Sequence, residues 1–292
     1  MLLESYIRHL LMEAKGEDLR PEDLVLKHDD LDNLLVNRGL LWYDVKGVKV
    51  YCPYGHPSKF PAGQNEMSDK VSKIVSVMGQ AGAEVAVFSV VNVVKKDVEL
   101  ASGTTLTMPD RDRRVWWSKM AQKIVSKFEF APERPSAVMA AASRSPMAKA
   151  LAEMCAAGLR TPVIDALKKT TDPSKISINE ERFSRWAEGK PQKKVDSFRQ
   201  DLEANLRTMR NKTTRGETSS IADDVSVTRR EFFDGIHDVV PGALDGVEGP
   251  VLVVDDNVDS GATLADIQRL LKRDFGKINP LFAGGFRINR SR

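Results

Sequence analysis

The chain has little cysteine: Cys52 and Cys155 are the only two in 292 residues. That is too few for a secreted disulfide framework, so a reducing, cytoplasmic setting is expected. No apolar run reaches the length needed to cross a bilayer, so no membrane association is expected. The N-terminal MLLESYIRHLLMEAKG carries Glu4 and Arg8 within its apolar pattern and offers no small-residue cleavage site, and does not read as a signal peptide. Net charge is also scarce. Lys+Arg 44 against Asp+Glu 41 leaves +3, which excludes the broad basic field of a nucleic-acid-binding protein. The one basic stretch, residues 190–215, is diluted by Asp196, Asp201 and Glu203. In CPYGH, Cys52 and His56 have a spacing that could begin a metal site, but no second Cys/His pair exists to complete it, and a turn at Pro53 and Gly55 is the simpler reading.

What is present is the composition of a globular protein: 41% hydrophobic and 29% charged residues, enough for one large domain or two modest ones. Leu2, Leu3, Tyr6, Ile7, Leu10 and Leu11 recur at helical spacing, predicting an amphipathic helix over residues 2–14 that docks on its own domain or on a protein partner. Residues 47–51 and 84–94 read as strands, with an amphipathic helix over 68–80 between them. Pro109 and Asp110 suit the first turn of a helix running through Trp116, Trp117, Met120, Ile124 and Val125. Residues 135–158 read as strand, small-residue loop and alanine-rich helix. Strands alternating with helices place the chain in the α/β class.

Residues 168–230 are poorer in apolar side chains and richer in charge. They read as a long polar and helical excursion, starting from a capping box at Ser177 and Glu180, interrupted at Pro191, and mobile over residues 207–220.

The strongest motif is VLVVDDNVDSGATL, residues 251–264. Four apolar β-formers predict a buried parallel strand, Asp255 and Asp256 stand at its carboxyl end, and a glycine-containing loop leads into a helix. Ligands of open α/β sheets bind at that edge. Backbone N–H groups of residues 259–263 at a helix N-terminus suit an anion, and Gly261 permits close approach. Ser260 and Thr263 add hydroxyl donors. Asp255 and Asp256 suit vicinal hydroxyls or a divalent cation with oxygen ligands.

VLVVDDN resembles the first strand of response-regulator receiver domains, but the stretch after it is too short for the remaining receiver strands. The continuation DSGATL resembles the PRPP loop of type I phosphoribosyltransferases: a hydrophobic strand, two acids, two variable residues and a small polar loop. The chain order agrees, with a small-residue loop at 142–145, a long insertion and then the acidic motif. The resemblance covers about residues 131–292 and leaves residues 1–130 as an extension of unnamed role. It implies a parallel-sheet core with a hood inserted at about 168–230, Mg²⁺ as cofactor, 5-phosphoribosyl 1-pyrophosphate (PRPP) and a small-molecule nitrogen acceptor as ligands, and is compatible with a homodimer.

Carried over by position, the resemblance implies that Asp255 and Asp256 hold the ribose hydroxyls and metal. Asp259, Ser260, Gly261, Ala262 and Thr263 would cradle the 5′-phosphate, and Ala142, Ser143, Arg144 and Ser145 would face pyrophosphate. Asp259 matches the aspartate that hypoxanthine-guanine and xanthine-guanine enzymes place by the purine N7, which points to a 6-oxopurine acceptor. The alternative is that Asp259 only caps the following helix. Phe286, in the C-terminal NPLFAGGFRIN, is a candidate for stacking on the base. Arg144, Lys168, Lys169 and Arg229 are basic candidates for pyrophosphate by position. The lysine-rich base-recognition strand of the purine enzymes is missing after Asp259, and the hood is longer and more helical than usual. A regulator or scaffold that keeps the fold without catalysis is therefore the alternative function.

Overall fold

Residues 251–254 are apolar on both sides of the chain and have nowhere to go but between two layers, and all four are fully buried. In the computed structural model, which describes residues 21–31, 42–56, 70, 71, 73, 74, 92–99, 105–142, 145–219, 221–226 and 228–288, they form the middle of a central strand. The described strands are β1 (Trp42–Val45), β2 (Val48–Tyr51), β3 (Tyr54–His56), β4 (Val98–Glu99), β5 (Thr105–Leu106), β6 (Ala137–Ala140), β7 (Leu167–Lys169), β8 (Ser177–Ile178), β9 (Phe233–Asp234), β10 (His237–Val239), β11 (Gly249–Val258) and β12 (Ile278–Ile288). The main helices are α1 (Asp110–Phe128), α2 (Pro146–Leu159), α3 (Glu180–Ala187), α4 (Gln192–Thr214) and α5 (Ala262–Asp274). The architecture is mixed α/β around a mainly parallel sheet.

The chain forms two compact units. One comprises Met1–Leu41, Pro53–Met120 and Phe286–Arg292. Within it, β3 pairs in parallel with the last residues of β12, and Trp116, 1% exposed, packs edge-on against Tyr54 and donates its indole N–H to His28 O at 3.0 Å. Trp116 is thus part of the core of this unit. The expected turn at Pro53 and Gly55 is a bend at Pro53 followed directly by β3. Of the strand expected over 84–94, residues 84–91 lie outside the described residues. Residues 92–94 belong to a helical turn, closed by Lys95 and Lys96 N–H groups on Asn92 O. The helix expected over 2–14 lies outside the described residues. Of 68–80, the described residues 70, 71, 73 and 74 are helical.

The other unit comprises Trp42–Cys52 and Ala121–Gly285. Its sheet has the order β1-β2-β12-β11-β6. β6 and β11 pair in parallel from Val251↔Ala137 to Val254↔Ala140, and β2 joins β12 in parallel through Phe282↔Val50. β1 and β2 form an antiparallel hairpin with a tight turn at Lys46 and Gly47, both at positive φ, and the Asp44 carboxylate accepts from Gly47 N–H at 3.0 Å. α2 starts where its sequence says it should: Pro146 stands in the first turn and the Ser145 hydroxyl accepts from Met147 N–H. Its alanines and leucines pack on β6 and β11.

The 168–230 excursion is more ordered than its composition suggests. Pro191 separates α3 from α4 as expected, but the cap of α3 is Asn179, whose side-chain oxygen accepts from Arg182 N–H at 2.8 Å, while Ser177 lies in β8. The segment expected to be mobile, 207–220, continues α4 to Thr214. There the Thr213 and Ser219 hydroxyls are buried and both donate to Met209 O. The insertion has a core of its own, in which Ile176, Leu202, Met209, Phe232 and Phe233 are buried. Phe183, Trp186 and Phe198 stack along α3 and α4, and Phe198 meets Phe232 edge-on. The low apolar count misled because apolar residues scattered singly along the segment converge, with a few large rings packed against them.

Candidate functional site

The last rung between β11 and β6 is Val254↔Ala140, followed by Ala141 N–H to Val254 O at 2.8 Å. Asp255 and Asp256 come immediately beyond it, at the carboxyl edge of that pair, 7% and 4% exposed. β11 itself runs on to Val258, so both acids lie within an extended strand and not in a loop. One carboxylate oxygen of each accepts the next backbone N–H: Asp256 N to Asp255 Oδ1 at 2.8 Å and Asn257 N to Asp256 Oδ1 at 2.7 Å. These short turns fix the carboxylates in place.

The chain then turns through Asp259, Ser260 and Gly261 into α5. Gly261 is the N-cap at φ 72° and has no side chain with which to cap the helix. A Cβ at position 261 would also come within 2.2 Å of Val45 Cγ1. Only glycine satisfies both the left-handed backbone and the approach of the β1–β2 hairpin tip. Ser260 Oγ faces Ala262 N–H at 3.4 Å, and Ser260 and Thr263 are half-buried. With an α-helix beginning at Ala262 behind a glycine N-cap, the first-turn N–H groups and the helix dipole favour an anion here.

Asp259 is held by a partner that sequence reasoning missed. Arg230 Nη1 donates to Asp259 Oδ2 at 2.8 Å, and Arg230 Nε donates to Val225 O at 2.9 Å. The next residue, Glu231, pairs with Lys46 at 2.7 Å, and Arg182 Nη1 lies 3.8 Å from the same carboxylate. The hairpin tip and the returning end of the insertion thus meet beside the 259–263 loop.

A second missed group lies one helical turn further along α5. Asp266 accepts from the backbone N–H groups of Gly235 and His237 and from His237 Nδ1 at 2.7 Å. Lys169 Nζ lies 2.7 Å from His237 Nε2. Because an ammonium only donates, Nε2 accepts and the ring proton is on Nδ1. The imidazole is fully buried. Burial, with the Lys169 charge behind it, pulls its pKa below the ordinary 6.5 despite Asp266. Burial opposes ionisation of Asp266, but the His237 hydrogen bond, the neighbouring charges and the Gly235 N–H outweigh it and keep the carboxyl below its usual range. Asp234, bonded by Asn179 Nδ2 and Arg269, is pushed upward by burial. Only one signal in the sequence marks this cluster: Asp266 is an acid on the otherwise apolar face of an amphipathic helix.

The remaining expected residues are placed as follows. Ala142 is half-buried against the sheet core, and the Ser145 hydroxyl serves α2 as its cap. Ser143 and Arg144 lie outside the described residues. Lys168 and Lys169 lie on β7, whose chain passes beside β6 in the parallel sense at Val138↔Val163 and continues beyond it. Arg229 pairs with Asp201 and lies over the Phe198 ring, on the insertion's own surface. Phe286 is fully buried beside Tyr54, an inward position on β12 that presents no face to a base. Both thiols are buried, and burial pushes the Cys155 thiol up to about 12, so it is no nucleophile.

Among the described residues no group of three or more His, Cys, Asp or Glu side chains is arranged to hold a metal. Asp255 and Asp256 nevertheless fit a Mg²⁺ ion in their chemistry, since Mg²⁺ at phosphate sites is commonly held by one or two carboxylates with the rest of its shell from substrate or water. No helix among the described residues is long and apolar enough to cross a membrane. Neither a scan against protein-family models nor a search of curated proteins finds a match to this chain.

Proposed function

We propose that the chain is a phosphoribosyltransferase of the type I kind, which binds PRPP with Mg²⁺ and transfers the 5-phosphoribosyl group to a nitrogen acceptor, releasing pyrophosphate. One observation carries the reading: a buried parallel strand carries two adjacent, backbone-anchored carboxylates just past its last rung with β6 and leads through a left-handed glycine into a helix N-terminus. A phosphorylated sugar needs those two chemistries at opposite ends.

In this reading Asp255 and Asp256 accept from the ribose hydroxyls and hold the ring. The N–H groups of residues 260–263 and the hydroxyls of Ser260 and Thr263 take the 5′-phosphate, fixing the anomeric carbon relative to the acceptor. A bound Mg²⁺ would offset charge on the departing pyrophosphate. Ala142 to Ser145, with Lys168 or Lys169, would face that leaving group. Asp259 would receive the acceptor's proton, and a 6-oxopurine is the acceptor its position suggests; to do so its carboxylate must serve the acceptor while Arg230 holds its other side.

The Arg230–Asp259 pair also favours a second reading, a PRPP-binding regulator without turnover, because the carboxylate assigned to proton transfer already has a partner. Pyrophosphate release from Mg²⁺-PRPP with a panel of purine, pyrimidine and amine acceptors separates the two. Acceptor-dependent release is the expected result, falling about 10²-fold or more in Asp259→Asn if that residue handles the proton. Binding without release on any acceptor selects the regulator.

A further inference from the structure

A carboxylate inside an anion-binding loop works against the loop's purpose. Asp259 stands two residues before Gly261, and an uncompensated negative charge there repels phosphate through a medium of low dielectric constant. Arg230 answers that charge. It is 8% exposed, far more buried than a surface arginine, and two bonds orient it: Nε to Val225 O, which fixes the guanidinium plane, and Nη1 to Asp259 Oδ2. Its chain neighbour Glu231 is tied to Lys46 at the hairpin tip, so the segment that presents Arg230 is anchored on both sides of the loop.

We propose that Arg230 is a positioning residue for sugar-phosphate binding. It neutralises Asp259 so that the 259–263 loop admits a phosphomonoester, and it holds the Asp259 carboxylate in one orientation beside the bound sugar. The proposal rests on the phosphoribosyl reading above and goes beyond it by assigning anion admission to a residue of the insertion, outside the loop motif. Breaking the pair from either side then has opposite consequences. Loss of Arg230 removes the ion pair that offsets the Asp259 charge beside the phosphate. Loss of the Asp259 charge leaves a buried guanidinium that the phosphate itself can satisfy.

The test is calorimetric titration of the full chain with ribose 5-phosphate, comparing wild type, Arg230→Met, Arg230→Lys, Asp259→Asn and the Arg230→Met/Asp259→Asn double variant. Arg230→Met is expected to bind about tenfold or more weakly, with Arg230→Lys recovering most of the loss. Asp259→Asn is expected to bind about threefold or more tightly, and the double variant to return to within about threefold of wild type. Tighter binding together with slower turnover in Asp259→Asn is a split that a merely structural pair would not produce. If Arg230→Met binds like wild type, or the double variant is no better than Arg230→Met, the proposal is overturned. Should Arg230→Met fail to fold, Asp259→Asn decides: unchanged or weaker binding overturns the proposal. Wild-type protein that ignores ribose 5-phosphate and PRPP at millimolar concentration overturns the phosphoribosyl reading itself, an outcome visible before any variant is made.

Discussion

The sheet core and the insertion core lie in the same unit and are built by different means. The sheet is filled by aliphatic residues whose burial follows from strand period and from α2 and α5 laid over it, and Val251, Val253, Met139 and Leu264 are typical. The insertion is filled by aliphatic side chains scattered along the chain, such as Ile176, Leu202, Met209 and Ile236, flanked by rings and laced by polar groups, with Arg210 on Ile176 O, Ser219 on Met209 O and Arg199 between Glu180 and Glu203. The sheet core is read from four consecutive residues. A core drawn one residue at a time from β8, α4 and the returning turn exists only once the chain has folded. The site lies where the two kinds meet, since Asp255 and Asp256 belong to the sheet and Arg230 to the insertion.

The largest effects come from cutting one ring out of each core. Phe282→Ala in the sheet and Phe232→Ala in the insertion are each expected to cost about 3–5 kcal/mol, the usual range for a buried ring. Hydrogen exchange should separate them: the first lowers protection throughout the unit, the second mainly over residues 176–236. Protection lost equally from β6 and β11 in Phe232→Ala would show that the insertion has no independent stability.

Next comes the contact that joins the hairpin to the loop. Gly261→Ala must strain a positive φ and displace Val45, so a loss of about 2–4 kcal/mol in urea unfolding is expected. Val45→Ala in the same chain removes the 2.2 Å contact and should recover part of the steric share, since Val45 Cβ still lies 2.8 Å from the added methyl, and it leaves the backbone share. No recovery would mean that the hairpin does not rest on the loop.

The smallest effect is a pH dependence at the junction between α5 and the insertion's return. The folded-state pKa of His237 is depressed by burial and by Lys169, so its contribution to stability is complete above the unfolded value of 6.5. As pH falls below that value, stability should drop by about 1.4 kcal/mol per pH unit until the folded-state pKa is reached. Asp266, also depressed, contributes only in the lower carboxylate range, and Asp234, raised by burial, runs in the opposite direction there. Lys169 and Arg269 are the other charged groups that act on this imidazole. His237→Gln should flatten the slope between pH 7 and 5, and an unchanged slope would remove His237 as its source.

Much of the fold was legible because its signals are local. Residues 251–254 announce a buried strand, Pro146 behind Ser145 announces α2, Pro109 and Asp110 announce α1, and Pro191 marks the break between α3 and α4. The acids and the glycine loop were legible for the same reason, lying within one short motif. What was not legible depends on residues that are distant in sequence. Arg230 meets Asp259, and His237 meets Asp266, each across 29 positions, and nothing in the composition of either segment signals the pairing. Trp42–Cys52 joins the sheet from far upstream, and only the folded chain places Val45 on Gly261. Phe286 reads from the sequence as a candidate to stack on a base, and its full burial beside Tyr54, in a stretch of β12 buried from 282 to 286, depends on neighbours distant in sequence.

The account stands most directly on whether the acidic strand end and the glycine loop hold a phosphorylated sugar. Thermal unfolding of the wild-type chain with and without Mg²⁺-PRPP, beside Asp255→Asn/Asp256→Asn, measures that in one experiment. At 100 times the dissociation constant, a ligand that binds only the folded chain adds about 2.7 kcal/mol, enough to raise the melting temperature by several degrees. The expected result is that rise in the wild type and its loss in the double variant. No rise at millimolar PRPP, or an equal rise in both proteins, would contradict the account.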